Sequence, residues 1–164
     1  MTQPDHPRNH YYRFAHRVLP TLLHENPEPF RSAVLAGRVD ELLENVWREV
    51  AATAGVATDG SLVIRTTVHD CAGRSVVIIT PPKPAHLTEA HLIGVVLDRN
   101  DSSFLRYVVL EHGSDENGQP YTTIGEWTAD SHINYGDGPN PSEDAFLSLI
   151  CTRFTEMPLR RPLA

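Results

Sequence analysis

Lysine is almost missing from this chain. Thirteen of its 14 basic residues are arginine and only Lys83 is lysine, against 21 carboxylates, for a formal net charge of −7 over 164 residues. A surface of that sign repels phosphate backbones and anionic lipid, so neither nucleic acid nor a membrane is expected as a partner. Long apolar runs are missing as well. The longest, Leu92 to Leu97, spans six residues, far short of the ~20 that cross a bilayer. The polar opening Met1 to Tyr12 has no apolar stretch of signal-peptide length. Cysteine is scarce: Cys71 and Cys151 are too few to staple a fold of this size and suit a reducing cytosol, so a cytoplasmic location is expected. Chemical signatures are absent too. There is no Gly-x-x-x-x-Gly-Lys-Ser/Thr loop, no Gly-x-Gly-x-x-Gly after a strand, no Gly-x-Ser-x-Gly elbow, no Cys-x-x-Cys and no His-Glu-x-x-His. Such a chain is expected to carry no cofactor and no metal centre.

What is present is the material of one folded domain. Hydrophobic residues make up 40% and charged residues 21%, which excludes disorder as the general state. The length fits a single domain over residues 1–164, with 1–12 as a flexible N-terminal segment and 158–164 as a tail. Arginine in place of lysine, with many Ala, Val and Pro, points to a GC-rich bacterial genome. The acidity is concentrated: residues 98–145 hold Arg99 and Arg106 against ten carboxylates, net −8. A field of that sign attracts basic partners.

Hydrophobic spacing divides the chain in two. Phe14, Val18 and Leu22 recur at helical intervals, with Pro20 expected to kink the segment. Phe30 to Ala36 reads as a short helix closed by Gly37. Val39, Leu42, Leu43, Val46, Val50 and Ala54 form one apolar stripe of a longer helix, with Glu44 and Arg48 paired on its other side. From Leu62 the period changes to two. Five strands are predicted: 62–69, 74–80, 91–98, 104–111 and 121–128, joined by short turns that favour antiparallel pairing. Asn140-Pro141-Ser142-Glu143 predicts a helix start with Asn140 as the cap, and Phe146, Leu147, Ile150, Cys151 and Phe154 give that helix an apolar face. The expected architecture is α+β: a five-stranded antiparallel meander with the N-terminal helices and one C-terminal helix packed on one face. The other face would be partly open to a ligand.

Several constellations carry chemistry on paper. His69-Asp70-Cys71 sets a thiol beside an imidazole, but in a predicted turn. His86 and His91, and His6, His10, His16 and His24, lack metal-ligand spacing, although nine histidines admit a response to pH or metal. The acidic turns at Asp98–Asp101 and Asp115–Gly118 are too short for calcium loops. Trp47 is either core or the widening of the long helix's stripe into a homodimer contact. The stretch from Glu126 to Pro139 mixes acid, imidazole, amide and aromatic groups. If extended, Asp130, His132 and Asn134 point to one side, with Ile133 and Tyr135 opposite. The leading expectation is a non-catalytic, adaptor-, chaperone- or immunity-like domain. It would hold a protein partner, basic in character, through the acidic sheet half and Glu126, Trp127, Asp130, His132, Asn134 and Tyr135. The alternative is a small hydrolase using Asp130 and His132 with Glu126.

Overall fold

A computed structural model describes residues 13–53, 64–82, 90–128 and 131–156. Among them the expected α+β class and antiparallel meander are both present. Strands β1 (Arg65–Cys71), β2 (Arg74–Thr80), β3 (Ala90–Asp98), β4 (Leu105–Ser114), β5 (Pro120–Trp127) and β6 (His132–Asp137) lie in sheet order as they lie in sequence, every neighbour antiparallel. The count is six rather than five, because the polar stretch after Trp127 folds back as an edge strand. The acidic turns serve the hairpins. Asp98 accepts from the amides of Asn100 and Asp101, and Asp115 from those of Asn117 and Gln119. Short side chains that mimic the backbone in this way close tight turns.

Four helices accompany the sheet: α1 (Leu19–Glu25), α2 (Glu28–Leu35), α3 (Val39–Thr53) and α4 (Glu143–Arg153). The expectation that all would pack on one face is corrected. Phe14, Leu19, Leu23, Phe30, Leu43 and Trp47 cover Val77, Ile79, Ile93, Val95, Tyr107 and Val109 on one face. Phe146, Ile150 and Phe154 cover Val76, Ile78, Val96, Val108, Leu110 and Ile124 on the other. Neighbouring positions along β2 and β4 thus enter different cores, as the two-residue period of a strand requires. The premise of an uncovered sheet face falls with this arrangement.

Trp47 is core, 3% exposed, edge-on to Phe14 at 5.2 Å. On α3 the expected Glu44–Arg48 pair forms. The cap of α4 is Ser142, whose hydroxyl accepts from the Ala145 amide at 3.2 Å, two residues beyond the predicted Asn140. This helix comes so close to β3 that a Cβ on Gly94 would lie 2.3 Å from Ile150 Cδ1. The two cysteines meet: a disulfide joins Cys71 at the end of β1 to Cys151 in α4. That staples the helix to the sheet and removes Cys71 as a nucleophile, since a disulfide sulfur is not a thiolate.

Candidate functional site

The site begins with a backbone irregularity. Ahead of α1, Phe14–Val18 form a π-helical turn in which the Leu19 amide bonds the Phe14 carbonyl five residues back. Pro20, next in that register, has no N–H to give the Ala15 carbonyl. The Tyr107 hydroxyl donates to it instead, at 2.8 Å. Tyr107 is fully buried on β4, and burial raises its pKa well above the usual value. The proline thus creates an orphan acceptor, and a sheet tyrosine ties it down. A π turn of this kind re-aims the side chains around it, and here it sets His16 over the sheet.

Beneath His16, the β3–β4 register places His91 directly opposite Glu111. His16 Nε2 and His91 Nε2 are 3.0 Å apart, and each lies 3.9 Å from Glu111 Oε1. A triangle with those sides has its equidistant point about 2.1 Å from every corner, the length of a zinc–imidazole or zinc–carboxylate bond. Both imidazoles are buried, 8% exposed for His16 and 2% for His91. Burial pushes His16 down to about 4, with repulsion from His132 adding to it. Burial pushes His91 down to about 3, with repulsion from His16 adding. Both are therefore neutral at pH 7, the state in which imidazole ligates metal. Among the described residues this is the one group of three or more His, Cys, Asp or Glu whose ligand atoms converge, all within 4.8 Å of one another.

His132 closes the edge of the site. Its ring occupies the space a side chain at position 125 would fill: a Cβ on Gly125 would lie 2.4 Å from His132 Nε2. It stacks on Trp127, centroids 4.4 Å apart, and Trp127 meets His16 edge-on at 5.8 Å. Two cavities adjoin. One of about 110 Å³ is lined by His16, Glu111, Thr123, Gly125, His132 and Asn134, among others. The second, about 290 Å³, is lined by His16, Thr21, His24, Trp127, Ser131 and His132, among others. His24 Nε2 donates to the Trp127 carbonyl at 3.0 Å.

The residues singled out in the sequence divide between the two faces. Trp127, His132 and Asn134 join the histidine site. Glu126 and Tyr135 lie on the far side, as strand alternation demands. There the buried Glu126 accepts Arg106 Nε and one terminal guanidinium nitrogen, both at 2.7 Å, and Tyr135 donates to Glu126 at 2.9 Å. The carboxylate is held as a structural ion pair, and the sheet separates it from His132. Asp130, His86, His6 and His10 lie outside the described residues. His16, His91 and Glu111 were not drawn together from sequence: they are 75 and 20 residues apart. Half of the signal was present, because strands predicted at 91–98 and 104–111 pair end to end with His91 opposite Glu111.

The fold and site thus define an antiparallel sheet sheathed by helices on both faces, with a buried two-histidine, one-carboxylate cluster at one end. Comparison with family models, with curated proteins and with solved structures finds no match for this chain.

Proposed function

We propose that this protein binds a divalent transition-metal ion through His16, His91 and Glu111. The observation that carries the reading is the common distance of about 2.1 Å from one point to all three ligand atoms. Two imidazoles and one carboxylate suit zinc or iron(II), and three protein ligands are the number kept by sites that leave a position open. Neutral, desolvated imidazoles support it further, because the ion meets no imidazolium charge and only the proton shared between the two Nε2 atoms must shift to an Nδ1. Isothermal titration of zinc into chelator-stripped protein tests the reading. One site per chain is expected. Glu111→Gln, close in volume to the native side chain, should weaken it more than about a hundredfold, beyond what outer-shell changes cost. A chain carrying His6→Ala and His10→Ala should bind as before. No heat of binding, or unchanged affinity in Glu111→Gln, overturns the proposal and leaves the histidines as a proton-sharing pair.

A second reading, favoured by the net charge of −8 over residues 98–145, keeps the acidic half as a docking surface for a basic protein partner. It predicts a partner whose capture weakens as salt rises. No helix among the described residues is long and apolar enough to cross a membrane. The Cys71–Cys151 disulfide supports an oxidising compartment over the cytosol that free thiols suit.

A further inference from the structure

Two of the three ligand residues, His16 and Glu111, border a small cavity. They line the 110 Å³ space, and the remaining walls are Val109, Thr123, Ile124, Gly125, His132 and Asn134. Val109 and Ile124 are aliphatic, and apart from the ligand Glu111 no carboxylate lines the space, so the polar groups facing it are those of Thr123, His132 and Asn134. The His132 ring closes over Gly125, 2.4 Å from where a Cβ would stand. The polar ends are arranged for an acceptor. The Asn134 side-chain carbonyl is engaged by the Gly136 amide at 2.8 Å, which leaves its NH₂ end as the donating end. The volume matches about four waters at roughly 30 Å³ each, or an anion of a few heavy atoms.

Charge points the same way. A divalent ion held by one carboxylate and two neutral imidazoles keeps a net charge of about +1, and a bound cation dominates the field of its own site. We infer that the ion keeps an exchangeable coordination position facing this cavity, and that the position takes a small oxygen-donor anion of the carboxylate class. Asn134 donates to the anion, and His132 forms the wall between it and the larger cavity. The inference rests on the metal reading above, and it makes the site one that binds a second molecule rather than one that merely braces the fold.

Cobalt(II) reports both steps separately. Cobalt is loaded into chelator-stripped protein, and its visible bands are followed while acetohydroxamate, then acetate, is added. The inference predicts a saturable change in the bands with each anion. Asn134→Asp still accepts the Gly136 amide but replaces the donor with a negative oxygen. It should retain the cobalt spectrum and bind acetohydroxamate at least about tenfold more weakly. Cobalt bound with bands that neither anion alters overturns the open position while the metal reading stands. Equal anion affinity in Asn134→Asp overturns the assignment of that position to this cavity. A protein that takes up no cobalt overturns the metal reading, and this inference with it.

Discussion

Single atoms decide where His16 stands. The Ala15 carbonyl lost its helical donor to Pro20 and regained one from Tyr107, so Tyr107→Phe removes one atom and leaves a buried carbonyl unsatisfied. That substitution should cost about 1–3 kcal/mol in denaturant unfolding, and it should weaken zinc binding without touching a ligand. Retained stability would show that the π turn does not depend on this bond. The histidine pair makes its own prediction, with Glu111 and His132 as the charged and titratable groups facing it. Folded pKa values of about 4 and about 3 lie below the unfolded value near 6.5, so the unfolded chain binds more protons between them. Stability of the metal-free protein is complete above pH ~6.5 and falls as pH drops toward 4 and 3. Melting temperatures from pH 7.5 to 4 should decline more steeply than those of a variant with His16 and His91 both replaced by Gln. Parallel curves would contradict the assignment of neutral, buried imidazoles.

At the scale of elements, α4 depends on the sheet more than on itself. Its apolar contribution is Phe146, Ile150 and Phe154. Its start is held by Ser142 and by the Thr67 hydroxyl donating to Glu143 at 3.0 Å. The disulfide closes a separation of 80 residues. Reduction should therefore lower stability by about 2–5 kcal/mol, with amide exchange rising first in α4 and β1. Unchanged exchange there would contradict the staple. The elements were largely legible in sequence, because period two and period 3.6 separate cleanly between the N-terminal third and the rest. The expectation for the side on which α4 packs is wrong, although the sequence carries a sign that both faces are covered. Val76-Val77-Ile78-Ile79 and Tyr107-Val108-Val109-Leu110 do not alternate, and runs of that kind belong to strands covered on both faces. β6 was harder to read: its polar residues and Gly136 resemble a loop, and only pairing with β5 makes it a strand. His16 could not be placed, since nothing in local spacing tells which sheet residues a π turn will overhang.

For the whole molecule, the two cores divide the labour. The face under α4 holds the Arg106–Glu126 pair and the disulfide-linked helix, and it is closed. The face under the N-terminal helices ends at the histidine cluster and its cavities, and there the strand pair β3–β4 and the π turn converge from distant parts of the chain. An ion at that point would bridge them, so saturating zinc should raise the melting temperature in proportion to the logarithm of its concentration above Kd. The most direct measurement is X-ray absorption at the zinc edge on protein loaded with one equivalent. The account predicts a first shell of nitrogen and oxygen at about 2.0–2.2 Å with the multiple-scattering signature of two imidazoles, reduced to one in His91→Ala. A shell without two imidazoles, or a spectrum that His91→Ala leaves unchanged, would contradict it.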